Sequence, residues 1–430
     1  MNWLTRYRIK EFFFSSFWFF PLLGVVSAMI VAPLSRLLEK ETNFALLNYD
    51  AEGARAILGV LSGAMLTFTL FLFTMLLLVV QIASTQLTPR VISRVFSGQP
   101  TRLAAGIFLF TFIYCLAILS RVREPVPQLP VSLGIAFSVI GIGTFLYLVD
   151  FIAKSLRPIS ILVKVAEEGR KVIEEVYPSL LEGSSLPIPS TQLLRGKEYQ
   201  QVLFSGKSGV LLALDLEGLK KLAIQHNGVI ALVPQVGDFV SKGSPLFHLY
   251  DGAAQIPQMK LLGAVALGSE RTIAQDPAFA FRIIVDISIR ALSPAINDPT
   301  TAVLGLDQIQ RLLFYLGKRR LRDEGIYDDT GKLRMLVRTP NWEDFVRLGT
   351  REIRWYGADS FQINRRLRAM LEDLMKRLTQ ERLVALEQEL QLLNRSAEKH
   401  FLEPEDQRRA LEPDFQGFGG GTPHSGKRVQ

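Results

Sequence analysis

Three groups of residues in this 430-residue chain have types and spacings that could do chemistry. The densest lies between Glu270 and Leu316. Arg282, Asp286 and Arg290 recur every fourth residue, so on a helix they share one face and form a charge ladder from which a general acid or base could be drawn. Asp276-Pro277 and Asn297-Asp298-Pro299 frame the ladder. Each is a helix start, with the aspartate as N-cap and the proline at the first helical position, where its missing N–H costs nothing. No nucleophile, histidine or metal-ligand set accompanies these charges, so structural ion pairing accounts for them better than catalysis does. Asp276, Arg282, Asp286, Arg290, Asn297 and Asp298 are therefore expected to be structural.

The second group is a pair of histidines, His226 and His248, with no third or fourth ligand in view for zinc. The single cysteine, Cys115, lies inside an apolar segment and excludes both an intramolecular disulfide and a cysteine-based zinc site. Walker loop, dinucleotide glycine pattern, nucleophile elbow and HExxH are all missing from the sequence. The expectation is a protein that is not an enzyme and carries no cofactor.

The third group sits in an apolar setting. Between Arg55 and Arg90 thirty-four residues carry no formal charge, yet Thr67, Thr74, Gln81 and Gln86 punctuate them. Pro89 then interrupts, and Arg90 and Arg94 follow four apart. A spanning helix that becomes polar, bends and resumes as a basic turn suits a helix lining a water path, with Thr67, Thr74, Gln81, Gln86, Pro89, Arg90 and Arg94 as pore or gate residues. The competing role for the two arginines is anchorage to anionic headgroups.

The elements that must position these groups follow from hydropathy. Apolar residues make up 48% of the chain, above the soluble norm, and the net charge of +8 is concentrated beside apolar segments, which argues for a membrane rather than for nucleic acid. Four stretches are long enough to cross a bilayer, Phe12–Ser35, Ala56–Ala83, Leu103–Ser120 and Val131–Val149. The first is too long and aromatic-rich for a cleaved signal and is expected to stay as a helix with Pro21 near its middle. Basic excess falls on the N-terminus, on Arg90–Arg102 and after Asp150. Four spans with both termini in the cytoplasm follow. Gly59 with Gly63, and Gly134, Gly141 and Gly143, allow close helix approach within a bundle or between subunits.

Residues 154–200 form a connecting helix, broken by Pro158, and a linker rich in Pro, Ser and Gly. Residues 201–260 read as a small β-rich unit. Gly209–Leu214 is a strand, Asp215 caps a helix over Leu216–Gln225, and Gly228–Val233 is a strand. Val236–Val240 and Pro245–Leu249 make a hairpin-like pattern similar to barrel-sandwich domains, without the lysine that a swinging arm needs. Residues 261–400 are helical, with Leu367, Leu371, Leu374 and Leu378 at 4-3-4 spacing on one long helix over Asp359–Asn394. Residues 401–430 are expected to be a disordered tail. The fold class is thus a membrane α-helical domain of four transmembrane helices plus a cytoplasmic α+β domain.

Ser84-Thr85-Gln86-Leu87-Thr88-Pro89-Arg90, Val236-Gly237-Asp238-Phe239-Val240 and Ser293-Pro294-Ala295-Ile296-Asn297-Asp298-Pro299-Thr300-Thr301-Ala302 together resemble a bacterial family of predicted membrane proteins with a domain of unknown function. The resemblance implies this architecture and a bacterial inner membrane, and no activity. The residues favour an oligomeric channel or transport-type protein in the lipid bilayer, a homo-oligomer passing an ion or small solute and binding no nucleic acid. The alternative is a membrane-anchored scaffold or sensor whose cytoplasmic domain binds a partner.

Overall fold

A computed structural model of the chain describes residues 3–7, 9, 17–42, 48–86, 99–155, 157–181, 193–321 and 325–418, with the backbone alone at 40–42 and 83–86. The chain divides into two compact units, one from Ile9 to Ile161 and one from Leu162 onward, with which the residues before Ile9 are grouped.

The first unit contains α1 (Phe19–Thr42), α2 (Ala51–Gln86), α3 (Gln99–Leu119) and α4 (Gln128–Ser155), and each is apolar and long enough to cross a membrane. Helix α2, at 36 residues, is about 54 Å long and overshoots the roughly 30 Å hydrocarbon thickness. Pro21 does not fall mid-helix as the sequence suggests. It lies in the first turn of α1, where no backbone hydrogen bond is lost, and Pro33 is the proline inside that helix. Helices α1 and α3 approach backbone to backbone, because a Cβ on Gly24 would collide with the Gly106 carbonyl oxygen and one on Gly106 would lie 2.9 Å from the Phe20 carbonyl. Gly134 and Gly141 of α4 make room in the same way for Leu58 and Met65 of α2, whereas Gly59, Gly63 and Gly143 have nothing within 4 Å of a notional Cβ. The α1–α2 and α3–α4 connections share one end of the bundle. Tyr49 donates its backbone N–H to Gln128 Oε1 (2.8 Å), Gln128 Nε2 returns a bond to the Tyr49 carbonyl (2.9 Å), and Arg55 donates to the Val122 carbonyl (3.0 Å).

Helix α5 (Pro158–Val176) follows, starting at the expected proline break. The second unit then builds two sheets from β1 (Gln200–Leu203), β2 (Gly209–Leu214), β3 (Gly228–Leu232), β4 (Phe239–Val240), β5 (Pro245–Asp251), β6 (Val265–Gly268), β7 (Gly325–Tyr327) and β8 (Leu333–Val337). The five-stranded sheet runs β1-β5-β3-β8-β7, antiparallel except for the parallel β3–β8 pair, and the three-stranded one runs β4-β2-β6. Helix α6 (Leu216–Gln225) starts on Asp215, whose Oδ1 accepts from the Gly218 N–H at 3.0 Å, as read from the sequence. The hairpin expected over 236–249 does not form. Strand β4 pairs with β2, while β5 pairs with β1 and β3 in the other sheet, so the segment bridges two sheets. Between them lies a core of Leu211, Leu219, Ile230, Leu246, Phe247 and Met335.

After the short α7 (Gln258–Leu262), the helical part comprises α8 (Pro277–Ala291), α9 (Pro299–Gly317), α10 (Trp342–Tyr356), α11 (Phe361–Arg377), α12 (Gln380–His400) and α13 (Pro404–Ala410). The single long helix expected over 359–394 is broken at Leu378-Thr379, where both residues are extended, and its leucines Leu367, Leu371 and Leu374 are buried in the unit. Residues 401–418 are not a disordered tail. Composition hides the contacts that hold them: Asp414 donates its N–H to the Arg365 carbonyl (3.1 Å), and Gln362 Nε2 donates to the Gly417 carbonyl (2.5 Å).

Candidate functional site

In the membrane unit, α2 buries Leu58, Met65, Leu72, Leu76 and Val79 against its neighbours. The opposite face is exposed. Val60, Gly63, Thr67, Leu70, Thr74, Leu77 and Gln81 recur at 3-4-3-4-3-4 spacing, with Val60, Leu70 and Leu77 each 60–72% exposed. The hydroxyl of Thr67 donates to the Gly63 carbonyl (2.9 Å) and that of Thr74 to the Leu70 carbonyl (3.0 Å), each one turn back on its own helix. Thr67, Thr74 and Gln81 are therefore brought together on one outward stripe, seven residues apart. They do not line a path inside a single bundle. Gln86 closes α2 with only its backbone described, and Pro89, Arg90 and Arg94 lie outside the described residues.

In the second unit the ladder is a tertiary clamp. Arg282 Nε donates to Asp286 (2.6 Å) and its Nη2 to Glu352 of α10 (2.9 Å). The guanidinium holds the Glu352 carboxyl below the usual glutamate range by that hydrogen bond and its charge. Glu352 lies seventy residues away, so no local spacing announces it. Arg290 follows Asp286 by four positions on α8, as read.

Asp276 and Asp298 both cap helices, accepting from the N–H of Phe279 (3.2 Å) and of Thr301 (3.0 Å). Asn297 sits in the left-handed region at φ 50°, which asparagine tolerates better than most residues. It donates its N–H to the Ser293 carbonyl (2.8 Å), and Asp298 donates to the Ala291 carbonyl (2.8 Å). The Ser293–Asp298 run is thus the tight turn that folds α9 back onto α8.

Sequence reasoning missed that two of its motifs meet. Gly237, at φ +96°, lies against the Arg271 guanidinium, and Arg271 pairs with Asp276. Gln275 seals the same corner by exchanging hydrogen bonds with the backbone of Leu214 (2.9 and 3.2 Å). A cavity of about 130 Å³ opens here, lined among others by Gln235, Val236, Gln275, Asp276, Arg338 and Thr339. Burial pushes the Asp276 carboxyl up despite Arg271. Both carboxylate oxygens are already engaged, one with Arg271 and one with the helix start, which fits a rigid binding corner better than an acid–base centre. The histidines sit in separate settings. His226 ends α6, and His248 of β5 stacks on Tyr199 with ring centroids 4.2 Å apart, its pKa pushed down by burial.

A second missed residue is Arg102. Read as the boundary of the third span, it lies instead inside the first turn of α3 and is 2% exposed.

A family of proteins described as predicted membrane protein (DUF2254) matches residues 14–373. An uncharacterized protein of Mycobacterium tuberculosis (strain H37Rv) is 27% identical over 433 residues, covering 94% of this chain and 81% of the relative. An uncharacterized protein of Mycobacterium bovis is similar to the same extent, 27% identical with the same coverage. No solved structure matches.

Proposed function

We propose, from the premise that the chain belongs to the DUF2254 family of predicted membrane proteins, that it is an oligomeric channel or transport-type protein of the bacterial inner membrane. Both termini are cytoplasmic in this reading, and the unit from Leu162 onward is a cytoplasmic regulatory domain. The observation that carries it is the outward stripe of α2. A face turned only to lipid has no need of polar side chains at every seventh position, whereas a helix packed on copies of itself around water can use them. Thr67, Thr74 and Gln81, seven apart, would then face the axis of an oligomer, with Gly59 and Gly63 free to admit a neighbouring backbone. Arg90 and Arg94, at the basic end of this segment, would raise anion concentration at the mouth. Its partners are the bilayer, further copies of itself and an ion or small solute. The protein is not an enzyme in this reading, which the engagement of Arg282 by both Asp286 and Glu352 supports.

Single cysteines at Thr67, Thr74 and Gln81, on a Cys115→Ala background, test the stripe. Reaction with a membrane-impermeant thiol reagent, and loss of conductance in reconstituted bilayers, is the expected outcome. Uniform protection at all three, with no conductance, rejects the pore. It would favour the second reading, a membrane-anchored sensor, for which the cavity beside Asp276 is the supporting observation.

A further inference from the structure

Arg102 is buried in the membrane unit at the first turn of α3, and among the described residues its Nε and Nη2 have no hydrogen-bond partner. A buried guanidinium normally sits against a carboxylate or several carbonyls, because an unpaired buried charge is strongly destabilising. The chain offers no counter-charge nearby in sequence. There is no aspartate or glutamate between Glu52 and Glu124, and residues 87–98 bring only two further cations, Arg90 and Arg94. Asp150, late in α4, is exposed and committed to Lys154 at 2.7 Å.

The position compounds the charge. The start of a helix is its positive end, with N–H groups unpaired by the helix itself, and α3 has no acidic residue in its first turn. Helical side chains lean toward the N-terminus, so Arg102 adds its cation to that same end. Two independent sources of positive potential thus coincide at the edge of an apolar span, and both would be neutralised by one anion.

We propose that Arg102 and the N-terminal turn of α3 form a binding site for a phosphate-type anion. The planar guanidinium fork matches two phosphate oxygens, and helix N–H groups favour the same chemistry. The phosphate comes from a lipid headgroup or from solution. The site rests on the membrane reading alone and stands or falls independently of any pore, since its test reads no conductance.

The full-length protein in an uncharged maltoside detergent is titrated with inorganic phosphate against chloride of matched ionic strength. In parallel it is placed in mixed maltoside micelles with and without phosphatidylglycerol. Thermal unfolding is followed for the native chain, Arg102→Met and Arg102→Lys. The native midpoint is expected to rise by roughly 1–2 °C with the anion, the shift that about a tenfold binding effect gives in a chain of this size. Arg102→Met should not respond, and Arg102→Lys should keep part of the response. A response to inorganic phosphate assigns the site to a solution anion, and a response to phosphatidylglycerol alone assigns it to a headgroup. If Arg102→Met does not accumulate, Arg102→Gln takes its place with the same expectation. An equal response in the native and neutral variants, or no native response to either anion, overturns the proposal.

Discussion

The two units of this protein satisfy most of their polar side chains in different ways. In the membrane unit several threonine and serine hydroxyls turn back onto their own helices, while Tyr114 reaches across to Ser35 and Pro130 (3.1 Å each). Thr67, Thr69, Thr74, Ser138 and Thr144 each donate to the carbonyl four residues earlier, at 2.8–3.0 Å. In the second unit, charges reach across the chain. Arg282 meets Glu352, Arg366 meets Asp307 (2.7 Å) and Arg311 meets Glu167 (2.7 Å). The difference follows from the solvent. In hydrocarbon, water cannot stand in for a missing partner, so hydroxyls bond locally and helix recognition falls to shape. In water, long side chains can sort helices by charge at little cost. Specificity in the first unit therefore resides in glycines, and in the second in caps and ion pairs.

Gly24→Leu should produce the largest effect. Its side chain would have to displace the α3 backbone at Gly106, an overpacking expected to cost about 3 kcal/mol and to deplete the protein from the membrane. Gly143→Leu, on the same unit but facing open space, should leave membrane level and thermal midpoint unchanged. Equal damage from both would mean that shape does not select the α1–α3 contact. In the second unit, Asp298→Ala removes the cap from α9 together with the Asp298–Thr301 side-chain bond. It should lower stability by about 0.5–2 kcal/mol in thermal or denaturant unfolding. Asp298→Asn, still able to accept from the Thr301 N–H, should recover most of that loss.

Local chemistry was legible and distance was not. The start of α8 at Asp276-Pro277, of α9 at Asp298-Pro299 and of α6 at Asp215 follow from one or two residues each, and the structure agrees with all three. The four spans were legible because twenty apolar residues leave few alternatives. What failed involved partners remote in sequence. Nothing near Phe239 says that β4 leaves β5 for the other sheet, and nothing near Arg282 names Glu352. The described end of the chain, to residue 418, looked disordered because the hydrogen bonds of Asp414 and Gly417 go to Arg365 and Gln362, about fifty residues earlier, and residues 419–430 lie outside the described residues. At the candidate site the polar residues of α2 were found by type alone. That they face outward could not be read, because the apolar pattern of a spanning helix does not tell lipid from protein.

The smallest energetic effect should come from that outward face, which is why it is the sharpest probe of the contrast. Thr67→Val with Thr74→Val removes two hydroxyls and leaves β-branched side chains of nearly the same shape. Each hydroxyl is bonded only to its own helix, and both side chains are exposed, so no interhelical contact within the bundle is lost. A change in the thermal midpoint worth less than about 0.5 kcal/mol is expected, as for surface substitutions elsewhere. If the stripe lines a pore, the same pair of substitutions replaces polar lining with methyl groups at two successive heptad positions, and a constriction so lined closes by dewetting. Conductance should fall sharply while membrane level, midpoint and oligomeric state hold. If the stripe instead packs dry against a second copy, the valines should tighten the assembly and leave no conductance to lose. A double variant that conducts like the native protein would remove Thr67 and Thr74 from the path and leave the outward hydroxyls with the local, self-satisfied role that Thr69 plays on the buried side of the same helix.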